Sequence, residues 1–177
     1  MSDLSPLRTG ALVLGFALIS FHSHAADATL LGVSKSWKTF TAGTTDDKVC
    51  YAIVQPIASS PKRYKREQVG FLLNDWPAKK AKAEPEIVPG YKYKTGSDIT
   101  VQVGGQNFTF YANNDGDSGN GWMKNVTEEE RLVDAMQKSP RAVVTGISSR
   151  GTKTYDTYAL DGLSDALGKI HTACNMQ

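Results

Sequence analysis

The stretch Asn113 to Trp122, NNDGDSGNGW, sets Asp115 and Asp117 among asparagines and glycines, the residue types from which oxygen-ligand calcium loops are made. Such a loop wants ligands at positions 1, 3 and 5, glycine at 6 and a bidentate glutamate at 12. Counted from Asn113, the residues Asn113, Asp115 and Asp117 supply the ligands, but Ser118 replaces the glycine and Lys124 the glutamate. A cation at the strongest carboxylate position opposes the ion, so this metal set is weak and the sequence favours a tight, solvated turn.

Nucleophilic chemistry lacks its parts as well. Beyond the first 25 residues the only histidine is His171, and there is no Gly-x-Ser-x-Gly elbow to present a serine beside a base. As zinc ligands, His171 and Cys174 would leave two positions unfilled. The expectation is a helix-flank histidine, no catalytic residue and no cofactor. The rival reading is a periplasmic hydrolase or calcium-binding enzyme using the Asp115–Asp117 turn or His171. The remaining candidate is a surface: Lys62, Arg63, Tyr64, Lys65 and Arg66 form the most basic run, with an aromatic at its centre, suited to anionic lipid or polysaccharide. A formal charge of +2 is too small for a dedicated nucleic-acid face.

Two features bear on the compartment. Arg8, the apolar run Ala11 to Phe21 and the small-residue sequence Ser23-His24-Ala25 have the pattern of a signal peptide over residues 1–25, with cleavage after Ala25 or, second, after Ala26. The run is shorter than the roughly 20 apolar residues a membrane-spanning helix needs, so no stable span is expected after cleavage. The only two cysteines, Cys50 and Cys174, both lie in the exported part, where an even pair far apart reads as a disulfide.

The 177 residues suit one domain, 26–177 after cleavage. Val49 to Gln55 and Val69 to Leu73 have the composition of buried strands. Ile99 to Val103 and Asn107 to Tyr111 alternate around Gly104-Gly105 as a hairpin. Pro56 to Glu67 and Asp75 to Pro89 lack apolar periodicity and read as surface loops. A capping box at Thr127 predicts a helix over 128–138, two strands follow around Gly151, and Leu163, Leu167, Ile170 and Cys174 mark one face of a last helix.

Several blocks in order carry a family resemblance. These are Val49-Cys50-Tyr51-Ala52-Ile53-Val54-Gln55-Pro56, Gly121-Trp122-Met123-Lys124-Asn125, Ser149-Arg150-Gly151-Thr152, and Asp156 to Leu163 running on to Cys174. Over roughly Lys35 to Cys174 the chain resembles the invasion-associated locus B family of bacterial exported proteins. Many members have further cysteines near the first tryptophan and near the Asp115 to Trp122 turn. This chain has neither and resembles the single-bridge branch. The resemblance implies a compact β-rich fold, a periplasmic location or a secreted or outer-surface one, and, in some members, an association with host-cell invasion. Elements and resemblance together predict a mainly β (α+β) fold, an antiparallel β-sandwich or barrel-like domain with two short helices, one of them C-terminal. The corresponding function is a non-enzymatic binding or envelope-support domain whose partner is an envelope or host-surface component.

Overall fold

The computed structural model describes residues 28–62, 66, 68–115 and 118–176. The expected signal peptide lies outside them, as do Arg63, Tyr64, Lys65 and Asp117. Among the described residues, eleven strands form one sheet in which every pairing is antiparallel. In chain order they are β1 (Thr29–Ser34), β2 (Trp37–Ala42), β3 (Val49–Val54), β4 (Ala58–Ser60), β5 (Gly70–Trp76), β6 (Ala81–Val88), β7 (Ile99–Val103), β8 (Gln106–Asn113), β9 (Asn120–Trp122), β10 (Arg141–Ile147) and β11 (Lys153–Ala159). Helix α1 (Val126–Gln137) precedes β10, and α2 (Leu163–Ala173) follows β11.

The spatial order is β1-β2-β3-β5-β6-β9-β8-β7-β10-β11-β4. The corner is made by β8, whose residues 106–110 pair with β7 while residues 111–113 pair with β9. A strand that changes partners along its length turns one half of the sheet over the other. Alternation then decides what lies between the halves. On β3 the buried residues are Cys50, Ala52 and Val54, set opposite Asp75, Leu73 and Phe71 of β5. The Phe71 ring meets Phe110 of β8 edge-on at 6.3 Å and Tyr158 of β11 at 5.8 Å. One continuous core runs from Trp37 to Cys174 through these rings.

The helices close the remaining side of this core. The α2 stripe Leu163, Ala166, Leu167 and Ile170 is buried against β1, β2, β3 and β5, and each large aliphatic side chain there contributes about 1.5–3 kcal/mol. Gly162, at φ 89°, starts α2; a Cβ there would run into the Ser34 carbonyl, so glycine is what lets the helix begin against the β1–β2 turn. Helix α1 buries Leu132, Ala135 and Met136 against β6, β7 and α2.

Three expectations are corrected. Asp75 to Pro89 is not a loop, because β5 runs to Trp76 and β6 occupies Ala81–Val88. Its inward residues are Ala83, Pro85 and Ile87, so small side chains and a proline hid the alternation. The strand pairs with β9 only at Glu86 and Ile87, and a half-open second edge tolerates a proline. Helix α1 is capped by Asn125, whose side-chain oxygen accepts from Glu128 N at 3.2 Å, rather than by Thr127. Pro56 to Glu67 is not all loop either: Ala58–Ser60 crosses to the far edge and pairs with β11.

Candidate functional site

The chain returns from β4 through Arg66, which lies beneath β11. There the Asp156 side chain, 4% exposed, accepts from both terminal nitrogens of the guanidinium, one of them at 2.8 Å, and from Ser59 Oγ at 2.6 Å. Arg66 Nη1 also donates to the Pro89 carbonyl at 3.1 Å. Hydrogen bonding to Asp156 holds the guanidinium still more firmly protonated. Removing either charge would leave the other buried and unpaired.

Above this pair opens a cleft of about 340 Å³. One wall is the segment Gly90 to Lys92, and the other is the turn Ser148 to Thr152 between β10 and β11. Backbone bonds zip the walls together, from Ser149 N to Lys92 O at 2.7 Å and from Lys94 N to Ile147 O at 2.8 Å. Thr152 N donates to Ser148 Oγ at 3.1 Å and fixes the turn, whose Gly151 has φ 81°. The Tyr91 hydroxyl shares a 2.6 Å hydrogen bond with Thr154 Oγ1. Gly146 makes room for this floor: a Cβ there would stand 2.7 Å from the Tyr93 ring and 2.8 Å from the Tyr91 hydroxyl. Burial raises the pKa of the Tyr91, Tyr93 and Tyr158 hydroxyls, so all three stay neutral. Those of Tyr93 and Tyr158 have no hydrogen-bond partner among the described residues.

His171 is more than a helix flank. Its Nδ1 lies 2.7 Å from Asp75 Oδ2, and the Asp75 side chain is fully buried. The other oxygen, Oδ1, accepts from Ala83 N at 2.8 Å. This bond captures an N–H at the irregular end of the β5–β6 pairing and goes with the positive φ of 52° at Ala83. Next to it Cys50 and Cys174 form a disulfide, with Cα atoms 5.9 Å apart, that ties β3 to the end of α2. Among the described residues no serine or threonine hydroxyl hydrogen-bonds His171.

Of the basic run, Lys62 and Arg66 lie among the described residues. Lys62 is exposed, whereas Arg66 is neutralised in its pair with Asp156. The acidic turn is used as a clamp. Asn114 accepts from Tyr93 N and donates to Tyr93 O, both at 2.9 Å, and Gly119 N donates to Tyr91 O at 3.0 Å. Asn113 Oδ1 accepts from Asp115 N at 3.2 Å. The turn thereby holds one wall of the cleft in place. Among the described residues no three His, Cys, Asp or Glu side chains gather as metal ligands do, and no helix is long and apolar enough to cross a membrane.

A family model described as "Invasion associated locus B (IalB) protein" matches residues 37–171. The chain belongs to that family. Its fold is similar to the crystal structure of invasion associated protein B from Bartonella henselae, with a TM-score of 0.57 at 10% identity, over 81% of this chain and 97% of the other. A comparison with curated protein sequences finds no match.

In this invasion associated locus B protein, the residues that sequence reasoning missed are Lys92, Tyr91, Tyr93, Asp75 and Asn114. Tyr91-Lys92-Tyr93-Lys94 did carry a signal, since large rings alternate with lysines just after Pro89-Gly90. Ser149 to Thr152 read as a turn between two strands and, with Asp156, as blocks of family resemblance, and the fold brings both to the cleft or its floor. The Asp75–His171 contact spans 96 positions and leaves no local trace.

Proposed function

We propose that this invasion associated locus B protein is an exported envelope protein that works by binding, without a reaction of its own. The observation that carries the reading is the state of its two buried polar centres. The Arg66–Asp156 pair is saturated by hydrogen bonds that hold the crossover to β11, and the Asp75–His171 pair pins α2 beside the disulfide. Among the described residues, what is left facing solvent is a cleft rather than an acid, a base and a nucleophile in one place. The disulfide supports an oxidising compartment, and with the signal-peptide pattern it supports the periplasm, or secretion to the outer surface. Its partner is an envelope component; the name of the Bartonella henselae relative supports a host-surface component as the other source.

A second reading, a hydrolase built on His171, draws on the 2.7 Å contact with Asp75, which is half of a base-and-orienter arrangement. The experiment that separates the two places a photoreactive residue at Ser149, exposed on the cleft wall, in cells producing the full chain. The binding reading expects a discrete crosslink to an envelope component, absent when the same residue replaces the exposed Lys38 on β2. Equal labelling from both positions would contradict it.

A further inference from the structure

The chemistry of the cleft is one-sided. Among the described residues its lining includes three cationic side chains, Arg66, Lys92 and Arg150, and no carboxylate. Asp156 cancels Arg66 from behind, while Lys92 and Arg150 are exposed and neither forms a salt bridge among the described residues. Ser149 and Thr152 also line the cleft, and neither hydroxyl has a hydrogen-bond partner among the described residues. The bond from Ser149 N to Lys92 O fixes the spacing of the two walls from which these side chains project.

We propose that this cleft is an oxyanion-binding site for a small molecule bearing one carboxylate or phosphate group. Arg150 forms the charge-assisted bonds to the oxyanion, Lys92 adds a second positive charge, and the Ser149 and Thr152 hydroxyls are further donors on the same lining. Arg66 is the floor: its guanidinium, locked by Asp156, keeps the base of the cleft polar and shaped. A volume of about 340 Å³ is at the small end of ligand pockets and fits a single sugar acid or a phosphate-bearing fragment rather than a long chain. A cationic ligand is disfavoured by Lys92 and Arg150. A neutral one would leave both charges unused. The assignment rests on the binding reading above and names the ligand chemistry of that same site.

The test is titration of the full chain with inorganic phosphate, glucuronate and, as the neutral control, glucose. Amide NMR shifts at Ser149, Arg150 and Thr152 are followed. Saturable shifts there with either anion, and none with glucose, are the expected result, and the anion that saturates first identifies the headgroup. Arg150→Ala removes charge-assisted hydrogen bonds and should weaken binding by at least about tenfold. Lys153→Ala, exposed and outside the cleft, should leave it unchanged. Arg150 is itself exposed in a turn, so its replacement leaves the thermal melt unaltered and the loss cannot be charged to misfolding. No saturation with either anion, glucose binding equally well, or unchanged affinity in Arg150→Ala would each overturn the oxyanion site. A Ser149 crosslink persisting while neither anion binds would remove this assignment and leave the binding function standing.

Discussion

Replacing Arg66 by methionine keeps the aliphatic stem and removes the guanidinium from beneath β11. The Asp156 side chain, 4% exposed, is then left, among the described residues, with the single side-chain donor Ser59 Oγ at 2.6 Å. Two charge-assisted hydrogen bonds disappear, each worth about 1.5–3 kcal/mol, and breaking a buried pair from one side costs about 3–5 kcal/mol. Both side chains are at most 10% exposed, so solvent screening discounts this little. For a domain of this size the loss corresponds to a fall in Tm of roughly 6–20 °C. Because the pair fastens the segment after β4 to β11, the Asp156→Leu single variant should cost a similar amount. The double variant Arg66→Met with Asp156→Leu removes both charges and should return to within about 1–2 kcal/mol of the parent. Urea unfolding followed by tryptophan fluorescence, with the disulfide intact, gives all four corners of the cycle. A loss below about 1 kcal/mol in Arg66→Met would place the pair among ordinary surface ion pairs and refute the reasoning.

Removing the disulfide by Cys50→Ala with Cys174→Ala opens a loop of 124 residues; the chain-entropy model gives about 5 kcal/mol for that length and measured losses run about 2–5, so a urea midpoint shift worth less than about 1 kcal/mol would contradict it. Ala83→Gly should be neutral or stabilising by up to about 1 kcal/mol, because φ 52° disfavours an L-residue there; a loss larger than about 1 kcal/mol on thermal unfolding would mean that the methyl's packing outweighs the backbone. Burial raises the Glu86 carboxyl above its ordinary range, outweighing the hydrogen bond from Asn74 that pulls it the other way. The folded chain therefore keeps this proton to higher pH than the unfolded one, and the group's stabilising contribution is lost as pH rises from the ordinary carboxylate range through the raised value. Urea midpoints measured across that window should show a downward component that Glu86→Gln lacks; parallel profiles for the two proteins would contradict it.

What could be read from the chain divides along physical lines. The hairpin around Gly104-Gly105, the strands on either side of Gly151 and the α2 stripe ending at Cys174 were legible because their apolar residues alternate at strand or helix spacing with glycine at the turns. The disulfide followed from compartment and count. In β6 the inward positions hold Ala83, Pro85 and Ile87, and propensity argued for a loop; pairing with β5 along its length outweighed it. Strands β1 and β2 were missed in a stretch where Leu30, Leu31 and Val33 stay exposed and the buried residues Trp37 and Thr39 are few. The candidate site was least legible. Arg66 belonged to a basic run by sequence, yet its role is set by Asp156, 90 positions away. The acidic stretch read as a tight, solvated turn, but its use of Asn114 to hold Tyr93 is a contact across 21 positions with no local trace.

The measurement that tests the binding account most directly is amide NMR of the labelled full chain titrated with the low-mass fraction of an envelope extract. The account predicts shifts that saturate and cluster at Tyr91, Lys92, Ser149, Arg150 and Thr152, with the Asp75 and His171 signals unmoved. Shifts gathered instead around Asp75, His171 and the disulfide, or signals of a molecule consumed during the titration, would contradict it and favour an enzyme built on His171.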